Sequence, residues 1–333
     1  MPYEFNPFTE EFDFYLYEPT EYVAKKETIG SGSLVWTSHT DMPTARRLPA
    51  AAADSNGNVY VAGSYTYKNK FEIYDAASET WSTGTDVPTG VYGAMGVCDS
   101  SGNFHLIGGN DGSGVKNLHQ VWNGSSWTTS GSLNTARRDG AVAIDNNDNI
   151  YISHGEGSSG HIALAEKWSP STSAFSTLSS ASAARKYTAG DILDGVFYVI
   201  CGYDGSQKRN IEAYNLSSGT WSDVTPSSGA PTARHGIIAV TLDDDKIHIL
   251  YGYDGSSFRD LHETWDGTTC VELTASATSP ARAYMGIGGQ TQESVKKAYV
   301  VGGHDNSSDI ADCDILAVSA SVTVECYPVE EKC

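Results

Sequence analysis

The sequence predicts an all-β fold, a six-bladed β-propeller with four antiparallel strands in each blade. Three observations carry that expectation. A corner built on Pro-x-Ala-Arg recurs, marked by Arg46, Arg137, Arg185, Arg234 and Arg282, with Val91 in the remaining place. The steps between these positions are 45, 46, 48, 49 and 48 residues, a period that belongs to propellers and solenoids. Each period holds four short apolar or alternating runs with glycine at their ends and no helical spacing.

The copy at Ala230–Gly267, APTARHGIIAVTLDDDKIHILYGYDGSSFRDLHETWDG, shows the layout. A corner leads into an apolar run, an acidic turn, a second apolar run ending in Gly252, a Tyr-Asp-Gly loop and an alternating run to Trp265. On this pattern the innermost strands fall at 48–53, 92–98, 139–144, 187–193, 235–242 and 283–288. Turns such as Asp54-Ser55-Asn56-Gly57 and Asp99-Ser100-Ser101-Gly102 join them to the second strands, because these residues accept the positive φ of tight hairpins. The third strands end in Tyr74, Trp122, Trp168, Tyr214, Trp265 and near Leu316. The fourth carry Trp81, Trp127, Phe175 and Trp221, which read as a buried aromatic belt, with Cys270 in the corresponding place of the fifth copy. Where the third-to-fourth spacing shortens, Asn123-Gly124 and Asp266-Gly267 supply a tighter turn.

The sixth copy lacks an obvious fourth-strand tryptophan. Trp36 stands as far before Pro43 as Trp81 stands before Pro88, so Leu34–Thr37 is the expected outer strand of the last blade. Ring closure by an N-terminal strand removes the free sheet edges. Val322–Tyr327 is the competing candidate for that place. The boundaries expected are an acidic, aromatic, extended N-terminal arm at 1–32, the propeller at 33–320, and a C-terminal strand or tail at 321–333.

Over 33–320 the pattern resembles the Kelch repeat. Gly108-Gly109 and Gly302-Gly303, with the degraded forms Cys201-Gly202 and Tyr251-Gly252, carry the resemblance beside the Tyr/Trp spacing and the corners. Blades one and three depart, with Ala62-Gly63 and His154-Gly155 in place of the double glycine. The resemblance implies a binding face at one mouth of the central channel. Its residues follow the double glycine (Asn110, Tyr203, Tyr253, His304) or the corner arginine (Arg47, Arg138, Lys186, His235). Aromatic and cationic groups together suit a glycan or an acidic peptide. The plainer alternative is that Arg47 and Arg138 only pair with neighbouring carboxylates or carbonyls.

Charge and composition narrow the function. A formal net charge of −20 opposes phosphate backbones and anionic lipid, so neither nucleic acid nor a membrane is an expected partner. No apolar run approaches the roughly 20 residues of a membrane helix. The first residues lack the basic and apolar regions of a signal peptide, and the six cysteines form no C-x-x-C pair, so free thiols are expected. Gly155–Gly160 matches G-x-G-x-x-G, and Asp145-x-Asn147-x-Asn149 resembles the start of a calcium loop. The first lacks a βαβ setting and the second lacks the required Gly and Glu, so both read as hairpin loops. No cofactor, metal or catalytic residue is expected.

The arm sets seven acidic residues against Lys25 and Lys26 and carries Phe5, Phe8, Phe12, Phe14, Tyr15 and Tyr17 among its eight aromatics. Disordered linkers are usually poor in aromatics, so a docking role is expected. Phe5-Asn6-Pro7-Phe8-Thr9 followed by Phe12-Asp13 resembles the N-termini of structural proteins of marine tailed bacteriophages, with Glu10 in place of the usual glycine. That resemblance implies a non-enzymatic virion protein present in several copies. Its arm anchors to other virion proteins, and its propeller is displayed toward a protein or a host-surface glycan. The alternatives are a free carbohydrate- or peptide-binding module, in the cytoplasm or outside the cell, and a sugar-active enzyme.

Overall fold

A computed structural model describes residues 3–6, 11–14, 22–30, 34–273, 281–289, 297–305, 307–318 and 321–328. Among them every regular element is a strand. The chain divides into two compact units, Val35–Ala317 and a unit of Met1–Leu34 with Val318–Cys333.

The larger unit is a six-bladed propeller. Blade 1 is Ala50–Ala53, Val59–Ala62, Phe71–Asp75 and Thr80–Thr83, in that order from the inside outward. Blades 2 to 5 repeat the order from Met95–Cys98, Ala141–Ile144, Ala189–Leu193 and Ile238–Thr241. Blade 6 consists of Gly286–Gly289, Lys297–Val301 and Cys313–Val318, with Leu34–His39 on its outside. The N-terminal strand therefore closes the ring. Trp36 packs edge-on against Tyr251 and His262 of blade 5, each at 6.1 Å. The rival segment is used elsewhere, since Ser321–Pro328 pairs with Tyr22–Gly30.

Sequence explains each layer. Inner strands are rich in Ala and Gly because six of them crowd the axis, whereas second strands such as Val59–Ala62 and Ile247–Leu250 are wholly buried. Most buried apolar side chains fall into clusters that each draw on two neighbouring blades, so the core lies in the seams between blades. The aromatic belt is not uniform. Trp265 on a third strand is fully buried, whereas Trp81, Trp127 and Trp221 on fourth strands are only half-buried. The outermost strand has a neighbour on one side alone. Those three indoles are instead fastened by Nε1–H bonds to the Thr40, Thr85 and Ser179 carbonyls at 2.8–2.9 Å.

The corner arginines have a partner that the repeat spacing did not reveal. Arg46, Arg137, Arg185, Arg234 and Arg282 are at most 1% exposed and pair with Glu72, Glu166, Glu212, Glu263 and Asp314. Each carboxylate stands two residues before the third-strand position held by Tyr74, Trp168, Tyr214, Trp265 or Leu316. Blade 2, whose corner is Val91, carries Gln120 in the carboxylate position. Its side-chain amide accepts from Thr89 N at 2.8 Å and donates to Thr89 O at 3.0 Å. With the cation gone the anion is gone too, so no unpaired charge is buried there.

In the smaller unit Tyr3–Asn6 pairs antiparallel with Glu11–Phe14, placing Phe5 opposite Phe12 and Tyr3 opposite Phe14. The two segments set apart in the sequence thus contribute strands to one unit, through this hairpin and the pairing of Tyr22–Gly30 with Ser321–Pro328. Phe8, Tyr15 and Tyr17 lie outside the described residues, as does Cys333. Cys98, Cys201, Cys270 and Cys313 are free thiols.

Candidate binding face at the channel mouth

Six residues, one per blade, encircle the axis with left-handed backbone. They are Leu48, Gly93, Asp139, Tyr187, Gly236 and Tyr284, with φ between 55° and 64°. Their amides form a closed circle of hydrogen bonds running from each blade to the next. Gly93 N donates to Leu48 O, Asp139 N to Gly93 O, Tyr187 N to Asp139 O, Gly236 N to Tyr187 O, Tyr284 N to Gly236 O and Leu48 N to Tyr284 O, all within 2.7–3.0 Å. Glycine is needed at two of the six places. A Cβ on Gly93 would lie 2.3 Å from Asp139 Oδ1, and one on Gly236 would lie 2.8 Å from the Tyr284 ring.

The residue just before each member of this circle bridges to the residue following the glycine pair of the same blade. The bridges are Tyr92 with Asn110, Arg138 with Glu156, Lys186 with Tyr203, His235 with Tyr253 and Ala283 with His304. In blade 1 Tyr65 N donates to Arg47 O at 3.1 Å. All eight residues expected at the mouth are therefore brought to one level. The structure corrects the alignment of blade 1. Gly63 N donates to Lys70 O as Gly108 N donates to Leu118 O, so the pair is Gly63-Ser64 and not Ala62-Gly63. That shift by one residue hid Tyr65. Glu156 carries no mark in the sequence because blade 3 departs from the glycine pair, and Tyr92 none because Val91 replaces the corner arginine.

The side chains make a continuous circuit. The Arg47 guanidinium lies 4.6 Å from the centre of the Tyr65 ring, Tyr65 meets Tyr92 edge-on at 5.2 Å, and Arg138 lies 5.6 Å from Tyr92. Arg138 pairs with Glu156, whose other oxygen is 2.9 Å from Lys186 Nζ. Lys186 Nζ lies 5.0 Å from the Tyr187 ring, which stacks on His235 at 5.5 Å, and an aromatic arc continues from there: Tyr203 to His235 at 5.2 Å, His235 to Tyr253 at 5.6 Å, Tyr253 to Phe258 at 5.0 Å and Phe258 to His304 at 5.9 Å. His304 Nδ1 is 3.0 Å from Asp309, which stands 3.7 Å from Arg47 and completes the circuit. Asn110 is spent on its own turn, where its side-chain oxygen accepts from Gly112 N at 2.7 Å.

Electrostatics set this face apart. Asp139 is 8% exposed and pairs with Arg138 Nη1 at 2.6 Å. Burial pushes its carboxyl up to about 7, against the pull of Arg138 and Lys186. Burial, aided by Lys186, lowers His235 to about 4, and its Nε2 lies 2.9 Å from the Tyr284 hydroxyl. Burial also raises the Tyr187 hydroxyl well above its ordinary range and Tyr284 to about 12, so both phenols stay protonated at neutral pH. Among the described residues no cluster of His, Cys, Asp and Glu is arranged to hold a metal ion. Asp145 instead caps its own hairpin, accepting from Asn147 N and Asn149 N at 2.9 Å, and Gly155–Gly160 lies in a loop with a two-residue hairpin.

Residues 184–228 match the Kelch motif. The matched span runs from the blade 4 corner, Arg185, past its outer strand Thr220–Asp223. No curated protein matches the chain. With six four-stranded blades, the motif supports a Kelch-type propeller, and such a propeller suggests a protein-binding module.

Proposed function

We propose that this Kelch-type propeller is a non-enzymatic binding module of a tailed-phage virion, with the corner-side mouth as its contact surface. The observation that carries the binding reading is the closed circuit of side chains from Arg47 round to Asp309, to which all six blades contribute residues at one level. Tyr and Arg in a concave setting are the side chains that dominate protein interfaces. Tyr65 and Tyr67, 50% and 48% exposed, extend the surface outward from blade 1.

The virion reading is supported by the likeness of Phe5–Asp13 to the N-termini of phage structural proteins. In it the N-terminal segment anchors the chain to another virion component. The test is deletion of residues 1–20, which removes the hairpin of Tyr3–Asn6 and Glu11–Phe14 but keeps the Tyr22–Gly30 strand paired with Ser321–Pro328. The expected result is a chain that melts like the full-length protein and fails to enter particles. Normal incorporation would remove the anchoring role.

A further inference from the structure

We infer that the corner-side mouth receives an uncharged, polyhydroxylated ligand, the end of a neutral glycan, with one hydroxyl-bearing group inserted at the axis between Asp139 and Thr188. The inference rests on the reading of this mouth as the binding face and names its ligand class.

Charge is the first argument. The three cations placed here are each met by a carboxylate: Arg138 by Asp139 and Glu156, Lys186 by Glu156, and Arg47 by Asp309. An acidic ligand would have to displace one of these partners, on a chain with a formal net charge of −20. A cationic ligand would meet Arg47, Arg138 and Lys186. A neutral ligand disturbs neither set.

The axis supplies the second argument. Behind the circle of six lies a cavity of about 100 Å³, lined in part by Asp139, Tyr187, Thr188 and Tyr284. A further cavity of about 120 Å³ shares Ala94, Gly140, Thr188 and Met285 with it, so the two adjoin. Apolar cavities of ~150 Å³ hold a six-membered ring, so this space is ample for one inserted hydroxymethyl or hydroxyl group. One polar atom lining both cavities, Thr188 Oγ1 on a residue 7% exposed, has no hydrogen-bond partner among the described residues, and neither has His235 Nδ1, on a residue 6% exposed next to Gly236 of the circle. An orphaned buried polar atom is costly and marks a place where a partner is expected.

Sugar hydroxyls donate and accept. One group can therefore donate to the Asp139 carboxylate and accept from the Thr188 hydroxyl, which neither a simple anion nor an ammonium can do. The apolar faces of sugar rings suit the half-buried Tyr203 and Tyr253 rings, which flank His235 at 5.2 and 5.6 Å.

The test is a binding screen of the full-length chain against uncharged, sialylated and sulfated glycans, with acidic and neutral peptides alongside, followed by titration of Thr188→Val and Asp139→Asn. Both changes keep side-chain size, and Asn tolerates the left-handed backbone of position 139. The expected result is binding of uncharged glycans that falls about tenfold or more in each variant, one good hydrogen bond's worth. Thr188→Val should melt at or above the wild-type temperature, since the hydroxyl it removes has no partner. A purely structural role for Thr188 predicts no change in affinity. Selective binding of sialylated or sulfated glycans or of peptides would overturn the ligand class, as would no binding of any uncharged glycan at millimolar concentration. Loss of binding in Tyr253→Ala but not in the two axial variants would overturn the axial assignment while leaving the mouth as the binding face.

Discussion

Two layers of the propeller carry similar side chains one residue apart and use them differently. Arg46, Arg137, Arg185 and Arg234 are buried and tie the corner to the third strand of their own blade. Their neighbours Arg47, Arg138, Lys186 and His235 face the mouth. In the corner layer each guanidinium also donates to backbone carbonyls, as Arg185 does to Cys201 O at 2.7 Å and Val199 O at 3.1 Å. In the mouth layer the contacts are between side chains, and several of them span blades, as from Lys186 to Glu156 or His235 to Tyr284. Desolvation decides the difference. A buried guanidinium must satisfy its donors inside the fold, whereas a rim cation retains water and stays open to exchange.

The comparison breaks most readily in the corner layer. Arg185→Ala leaves Glu212 buried among His154 and Ser182 with its guanidinium partner removed. A loss of about 3–5 kcal/mol is expected, measured by urea unfolding with circular dichroism. Burial alone would raise the Glu212 carboxyl. The hydrogen bonds from His154 and Ser182 and the Arg185 charge outweigh that and hold it below the usual range. A loss under about 1 kcal/mol would mean that the clamp is dispensable.

An intermediate effect is expected from acid. Burial lowers His119 and His262 to about 3, and His154 and His235 to about 4. An unfolded histidine binds its proton near 6.5, so between there and these lower values the unfolded chain holds more protons. Stability from these four groups is present above about pH 6.5 and is lost as pH falls toward 4 and then 3. Asp139 acts oppositely, favouring the fold below its unfolded value and losing that contribution as pH rises through about 7. Four groups against one predict a melting temperature that drops from pH 7 to pH 4, and a flat profile would count against the burial of these rings.

The smallest effect belongs to the mouth layer. Lys186→Ala removes a partly exposed pair with Glu156 and should change stability by less than about 1 kcal/mol in the same urea assay. A loss comparable to that of Arg185→Ala would erase the distinction between the layers.

Much of the propeller was legible because period, glycine and turn chemistry are local. Even the closing strand at Trp36 followed from spacing to a proline. The corner carboxylates were not legible from the arginines alone, because Arg137 and Glu166 meet only once the inner and second strands of the blade have folded between them. A signal existed all the same. Every carboxylate stands two residues before the third-strand aromatic or Leu316, and the one amide, Gln120, occurs where the corner is Val91. At the mouth the residues marked by sequence do lie together, yet sequence could not show that Arg47, Arg138 and Lys186 are already paired. Tyr65, Tyr92 and Glu156 were hidden by blades that depart from the repeat. Asp139 lacked any motif, since only the closed circle of six places it beside the axis.

The measurement that tests the two-layer account most directly is a double-mutant cycle that converts blade 3 into a copy of blade 2. Arg137→Val alone strands Glu166 beside Asn134 N and Thr135 N at 2.6 and 3.0 Å and should cost about 3–5 kcal/mol. Adding Glu166→Gln removes the orphaned charge while keeping an acceptor for those amides, as Gln120 does for Thr89 N. The account predicts that the double variant regains at least half of the stability lost by the single one. A double variant no more stable than Arg137→Val would contradict it.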